Sequence, residues 1–259
     1  MIKQVHKAAV VLAGILALSG RGHAESGDAR SVSESPEEYP GIASETVNSN
    51  GRNPPANSIS PNPWTETDLN RVALSDRDGY DVMGWMPQST YPSDRTAVPA
   101  DCSPIVQTLG QSSSAYPANA RVHRMFSPEG AGSGAVMTLA SHRVDDAKRA
   151  VRAFRVAAEK CTAFKDVEQS FDYGDGEVQP DPEYGDESVA LRLVQIFAYP
   201  DGESLRVPHA VVVVRKGTTV AMFHESNTSK GPDGKKSATI PDDLIRAQLS
   251  KIAKFGTAE

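Results

Sequence analysis

Two cysteines and six histidines are the residues of this chain with most chemistry to offer, and their spacing decides which chemistry is open to them. Neither Cys102 nor Cys161 sits in a recognisable nucleophile motif. A thiol paired with a catalytic histidine is therefore the weaker reading and a disulfide the stronger. His123, His142, His209 and His224 are scattered singly, without the short set spacings that gather ligands around one ion, so no metal site is expected. If the chain turns at Gly217-Thr218, however, His209 and His224 fall on one face of a hairpin as diagonal neighbours. Two readings stand for them: a weak metal- or proton-binding pair, or two ordinary strand histidines, the second being the commoner.

Nucleophilic catalysis is no better served. There is no Gly-x-Ser-x-Gly elbow, and Ser133 lies among the glycines of a turn. The glycines from Gly130 to Gly134 precede a segment of strand character, Val136 to Leu139, and not the helix that a phosphate-cradling loop needs. Asp145-Asp146, Asp186-Glu187 and Asp242-Asp243 sit at helix starts or turns, where capping explains them; glycoside hydrolysis needs carboxylates brought together from different elements. No catalytic residue and no cofactor is expected, and a hydrolase is the most distant reading.

A binding role leaves a different trace. Along Val189 to Ala198, period-two alternation puts Val189, Leu191, Leu193 and Phe197 on one face and Arg192, Val194 and Ile196 on the other. One cation among branched apolar residues can orient an anionic, partly apolar ligand, so Arg192, Val194 and Ile196 are the candidate ligand-binding residues; an ordinary exposed arginine between surface aliphatics is the competing account.

The segment before these elements speaks to location. Lys3 and Lys7 precede an apolar run from Ala8 to Leu18, and small residues follow up to Ala24, the pattern of an export signal with cleavage after Ala24. The run is shorter than the ~20 residues of a membrane-spanning helix. Leu18-Ser19-Gly20 approaches a lipoprotein signal, but Arg21 stands where the lipidated cysteine would be, so a lipid anchor is not expected. Lys3, Lys7 and Arg21 leave with the signal, so 27 basic residues become 24 against 33 acidic and the net charge moves from −6 to −9. That balance, with no dense basic stripe, argues against nucleic acid as a partner. An oxidising destination also favours the Cys102–Cys161 bridge. Residues 25–63 are rich in Ser, Pro, Asn, Gly and Glu and read as a disordered spacer.

Order is expected over 64–259. Thr65, with Glu66 and Asp68 behind it, starts a helix to about Leu74; Tyr80 to Met86 reads as a strand and Ser103 to Leu109 as a helix stopped by Gly110. Arg121 to Phe126 and Ala135 to Arg143 form a hairpin. From Val144 to Cys161, Val144, Ala147, Val151, Phe154, Ala158 and Cys161 draw one apolar helical stripe, with Lys148, Arg149, Arg152 and Arg155 off it. Gly174 to Asp186 reads as turns, then Val189 to Ala198, Val207 to Arg215 and Thr219 to His224 as strands, and Pro241 to about Phe255 as a helix with Leu244, Ile245, Leu249 and Ile252 inward. Val211 to Val214 is apolar on both alternations, which calls for cover on both faces or an apolar cleft on one. The sum is an α+β class: one domain, a mostly antiparallel sheet, helices packed chiefly on one face.

Taken in order, Thr67-Asp68-Leu69, Asp101-Cys102, Phe126, Asp145-Asp146-Ala147, Cys161, Tyr184-Gly185-Asp186-Glu187, Val211 to Lys216-Gly217 and Leu249 make the chain resemble the PknH-like extracellular sensor domain family of actinobacterial envelope proteins and lipoproteins. The resemblance spans nearly all of 64–259 and implies an α/β sandwich-like domain with a concave, ligand-binding surface and no catalytic activity. A second cysteine pair common in that family is absent. The expected function is an exported, non-catalytic sensor or ligand-binding domain of the cell envelope, with a small molecule or another envelope protein as partner. The alternative is a structural or interaction module.

Overall fold

The computed structural model describes residues 62–84, 94–111, 116–127, 134–199, 202–227 and 237–256. The expected signal peptide, most of the expected spacer, the end of the strand expected to reach Met86, and the segments expected as loops at 128–133 and 228–236 lie outside them. Helix α1 is Glu66–Val72, begun by a capping box in which Thr65 Oγ1 accepts from the Asp68 amide and the Asp68 carboxylate accepts from the Thr65 amide at 3.0 Å. Strands β1 (Val82–Gly84) and β2 (Ala97–Val98) follow, then helix α2 (Ser103–Leu109) and the hairpin of β3 (Ala120–Phe126) with β4 (Val136–Ser141). Helix α3 is Val144–Lys160, and after it come β5 (Phe164–Asp166), β6 (Phe171–Val178), β7 (Glu187–Ala198), β8 (Ser204–Lys216), β9 (Thr219–Ser226) and helix α4 (Asp242–Gly256).

All nine strands join one antiparallel sheet in the order β1-β3-β4-β9-β8-β7-β6-β5-β2. Helix α3 carries the chain from β4 in the middle of the sheet to β5 near one edge. Five strands then return by meander until β9 pairs with β4. The β8–β9 turn is the two-residue turn at Gly217-Thr218, Lys216 opposite Thr219, with Gly217 at φ 61° as first central residue.

The α+β class and the single antiparallel sheet stand as expected, but helix cover is shared between the faces. On the first face α2 and α3 bury Val151 and Phe154 against Leu191, Leu193, Val211, Val213 and Met222. On the second, α1 and α4 bury Leu69, Leu244, Ile245 and Ile252 against Val122, Met137, Leu139, Val212, Val214 and Phe223. The doubly apolar run Val211–Val214 is the physical cause, since each alternation needs its own cover. Gln248, fully buried in the stripe of α4, joins the two helices of the second face: its amide group donates to Val72 O (2.8 Å) and its carbonyl accepts from the Leu74 amide (2.9 Å). These satisfy backbone groups left open at the end of α1.

The stretch from Gly174 to Asp186, read from sequence as turns, begins within β6, and β5 precedes it. A bulge hides the strand. The β6–β7 register shifts between Gly174 and Glu177, Asp175 sits at φ 53°, and the extra residue breaks the alternation that would have marked it. Gly176 is required there, because a Cβ would lie 2.4 Å from the carbonyl oxygen of Cys161.

Cys102 and Cys161 are joined by a disulfide, with Cα atoms 5.8 Å apart and both side chains buried. It ties the start of α2 to the end of α3 beneath the first face's core.

Candidate functional site

Three places gather the side chains that the sequence singled out. The first is on β7. Val189, Leu191 and Leu193 pack under α3 as expected, and Phe197 meets Phe171 edge to face at 5.3 Å. On the other face Arg192 is exposed and forms no ion pair or hydrogen bond among the described residues, whereas Val194 and Ile196 are half-buried. Arg206, opposite Ile196 on β8, pairs with Asp175 on β6, so this ion pair crosses β7 above those two side chains. Helices α1 and α4 lie over β3, β4 and β8 on this face.

The second place is the histidine pair. Register sets His209 opposite Ser226 and Val211 opposite His224, making the two imidazoles diagonal neighbours on the α3 face. They stack with centroids 5.0 Å apart and planes 6° from parallel, and His209 Nδ1 lies 2.7 Å from His224 Nε2. The far nitrogen of His209 is 3.0 Å from Gln195 Oε1, and its ring meets Tyr173 edge to face at 5.9 Å. Desolvation pushes His209 down to about 4 and holds His224 well below the usual imidazole range, the neighbouring ring adding to the effect on His224. Both rings are thus neutral at pH 7, and one N–H lies between the two facing nitrogens. Gln195 was missed in the sequence, since one amide within an apolar alternation carries no mark of what it bonds. His142 and His123 are separate from this pair: His142 donates to Pro117 O at 3.0 Å and is pushed by burial to about 4, and His123 lies 3.3 Å from Thr138 Oγ1. No group of three metal-ligating side chains occurs among the described residues.

The third place is a groove of about 410 Å³ between the start of α2 and the outer face of α3, with Pro104, Tyr116, Arg149, Arg152, Val156 and Lys160 on its walls. Arg149 is bonded to Asp146 and lies 5.3 Å over the Tyr116 ring, and Lys160 reaches Asp101 at 3.4 Å. Arg155, the remaining arginine of that helix, turns away and donates to Ser188 O at 2.9 Å.

The paired carboxylates are structural. Asp186 accepts from Arg215 (3.0 Å), Lys216 (3.0 Å) and the Gly217 amide (2.7 Å), which clamps the β8–β9 turn; these donors hold its carboxyl below the ordinary range against the opposing pull of burial. Asp242 accepts from Tyr184 and Arg246, and Asp146 from Arg149.

No protein-family model matches the chain, and no curated protein matches it. Among solved structures it is similar to the extracellular domain of PknH from Mycobacterium tuberculosis, with 12% sequence identity and a TM-score of 0.46, the match covering 77% of this chain and 100% of that one.

Proposed function

We propose that this chain is an exported, non-catalytic ligand-binding domain of the sensor type that works in the cell envelope, and that Arg192, Val194 and Ile196 form part of its ligand surface. The observation that carries the reading is the buried Cys102–Cys161 bridge in a chain whose first 24 residues have the build of an export signal. The non-catalytic part has its own support. The groups best suited to proton transfer are committed to one another or to the fold: His209 to His224 and Gln195, Asp186 to a turn, Asp242 to Tyr184 and Arg246. Arg192 is a guanidinium with no partner among the described residues, beside half-buried aliphatics, which suits an anionic group with an apolar body.

Fractionating the host and analysing the protein by intact mass tests this. The expected product lies outside the cytoplasm, begins at Glu25 and takes up no thiol reagent; a cytoplasmic protein with two reactive thiols would refute the export reading. Native mass spectrometry of the same material, with Arg192→Ala alongside, tests the surface. A small anionic molecule retained by the wild type and lost by the variant is expected, and equal retention in both would remove Arg192 from the site.

A further inference from the structure

We infer that the groove between α2 and α3 is a binding site for a small anionic amphiphile, a molecule with one phosphate or carboxylate head and a short apolar tail. The inference rests on the ligand-binding reading above but places this site on the opposite side of the sheet from Arg192. Four observations carry it. The concavity, about 410 Å³, is of the size that small-molecule sites have. Arg152 lines it, is exposed, and has no ion pair or hydrogen bond among the described residues, whereas each of the other two cations of the groove is already engaged. One helical turn on, Val156 is 42% exposed on the same wall, an apolar residue left uncovered where a tail would lie beside Pro104. Finally, the Cys102–Cys161 bridge fastens the two walls together, so the groove keeps its width without a ligand.

Charge selects the ligand. The chain is acidic, at −6 overall, yet among the described residues this groove keeps one uncompensated cation: Asp146 engages Arg149 and Asp101 engages Lys160, which leaves Arg152. Tyr116 and Asp146 hold the Arg149 guanidinium in place, so it enters the site already oriented. Arg152 supplies the unspent donors, in a fork that matches a phosphate or carboxylate. Val156 and Pro104 take the tail.

Isothermal titration calorimetry on the intact chain with octyl phosphate, inorganic phosphate and octanol tests the site. Octyl phosphate is expected to bind, and each of the other two probes to bind at least tenfold more weakly, because each engages one half of the groove. Arg152→Ala is expected to weaken octyl phosphate about tenfold, the loss of a charge-assisted contact. Val156→Glu is expected to abolish binding, with far-ultraviolet circular dichroism unchanged since the side chain is exposed. Arg192→Ala is expected to leave it unaltered, which separates this site from the β7 surface. Wild-type affinity in both groove variants, loss of binding in Arg192→Ala alone, or no heat from octyl phosphate with the wild type would each overturn the proposal.

Discussion

His209 and His224 make the stability of the protein depend on pH through two side chains that no turn or cap requires. In the unfolded chain an imidazole titrates near 6.5, while burial takes His209 down to about 4. The folded state therefore refuses a proton that the unfolded state accepts. Stability is full above pH 6.5 and is lost progressively as the pH falls towards 4, by about 3 kcal/mol for a shift of this size. His142, displaced in the same direction to about 4, adds to the same window. Urea unfolding at pH 7, 5.5 and 4 checks this: the midpoint is expected to fall at each step, and His224→Phe, which removes one titrating ring, is expected to flatten the fall. An unchanged slope in the variant would show that His224 contributes nothing. The diagonal placement of the two rings was legible in the sequence, because Gly217-Thr218 sets the register and the register sets the diagonal. Gln195 and Gln248 were not legible. Each interrupts an apolar stripe, and only the tertiary fold brings the partner that justifies it.

At the level of elements, the long helix and the disulfide are coupled. Helix α3 ends at Lys160, and Cys161 continues its inward stripe to meet Cys102 at the mouth of α2. The bridge closes a loop of 59 residues in sequence, worth about 4 kcal/mol in the chain-entropy account. Replacing both cysteines by alanine is expected to lower the unfolding free energy by roughly 2–5 kcal/mol, measured by urea titration at pH 7. A loss below about 1 kcal/mol would mean that the core beneath α3 holds α2 without the link. The helices were readable to within a residue or two: Ser103–Leu109, stopped at Gly110, and Val144–Lys160, marked by its apolar stripe, match their expected spans closely. Strands β5 and β6 were not, because three residues suffice for β5 and the Gly-Asp-Gly core of β6 looks like a turn until the bulge and the carbonyl of Cys161 explain it.

For the whole molecule, the decisive feature is a wide sheet whose cover differs from face to face. The run Val211–Val214 called for cover on both faces or an apolar cleft on one, and the structure answers with α2 and α3 on one face and α1 and α4 on the other. The sequence showed the demand for cover but not its supplier, since which helix meets which alternation is decided by topology. The α2–α3 groove was invisible for the same reason: Pro104 and Val156 lie far apart in the chain and share a wall only once the fold is made. Among the described residues the nine strands of the layer leave two outer margins, occupied by β1 with three residues and β2 with two. Both runs are brief, and the Val82 amide already donates to Asp76 Oδ1 (2.9 Å) and the Ala97 amide to Ser103 Oγ (3.0 Å), so they offer an incoming strand little to zip onto. Light scattering on the intact chain is expected to give the mass of one copy independent of concentration, and a mass that climbs with concentration would contradict it. The breadth of the layer thus carries no penalty in self-association, because its rims are too short to act as templates for a neighbouring copy.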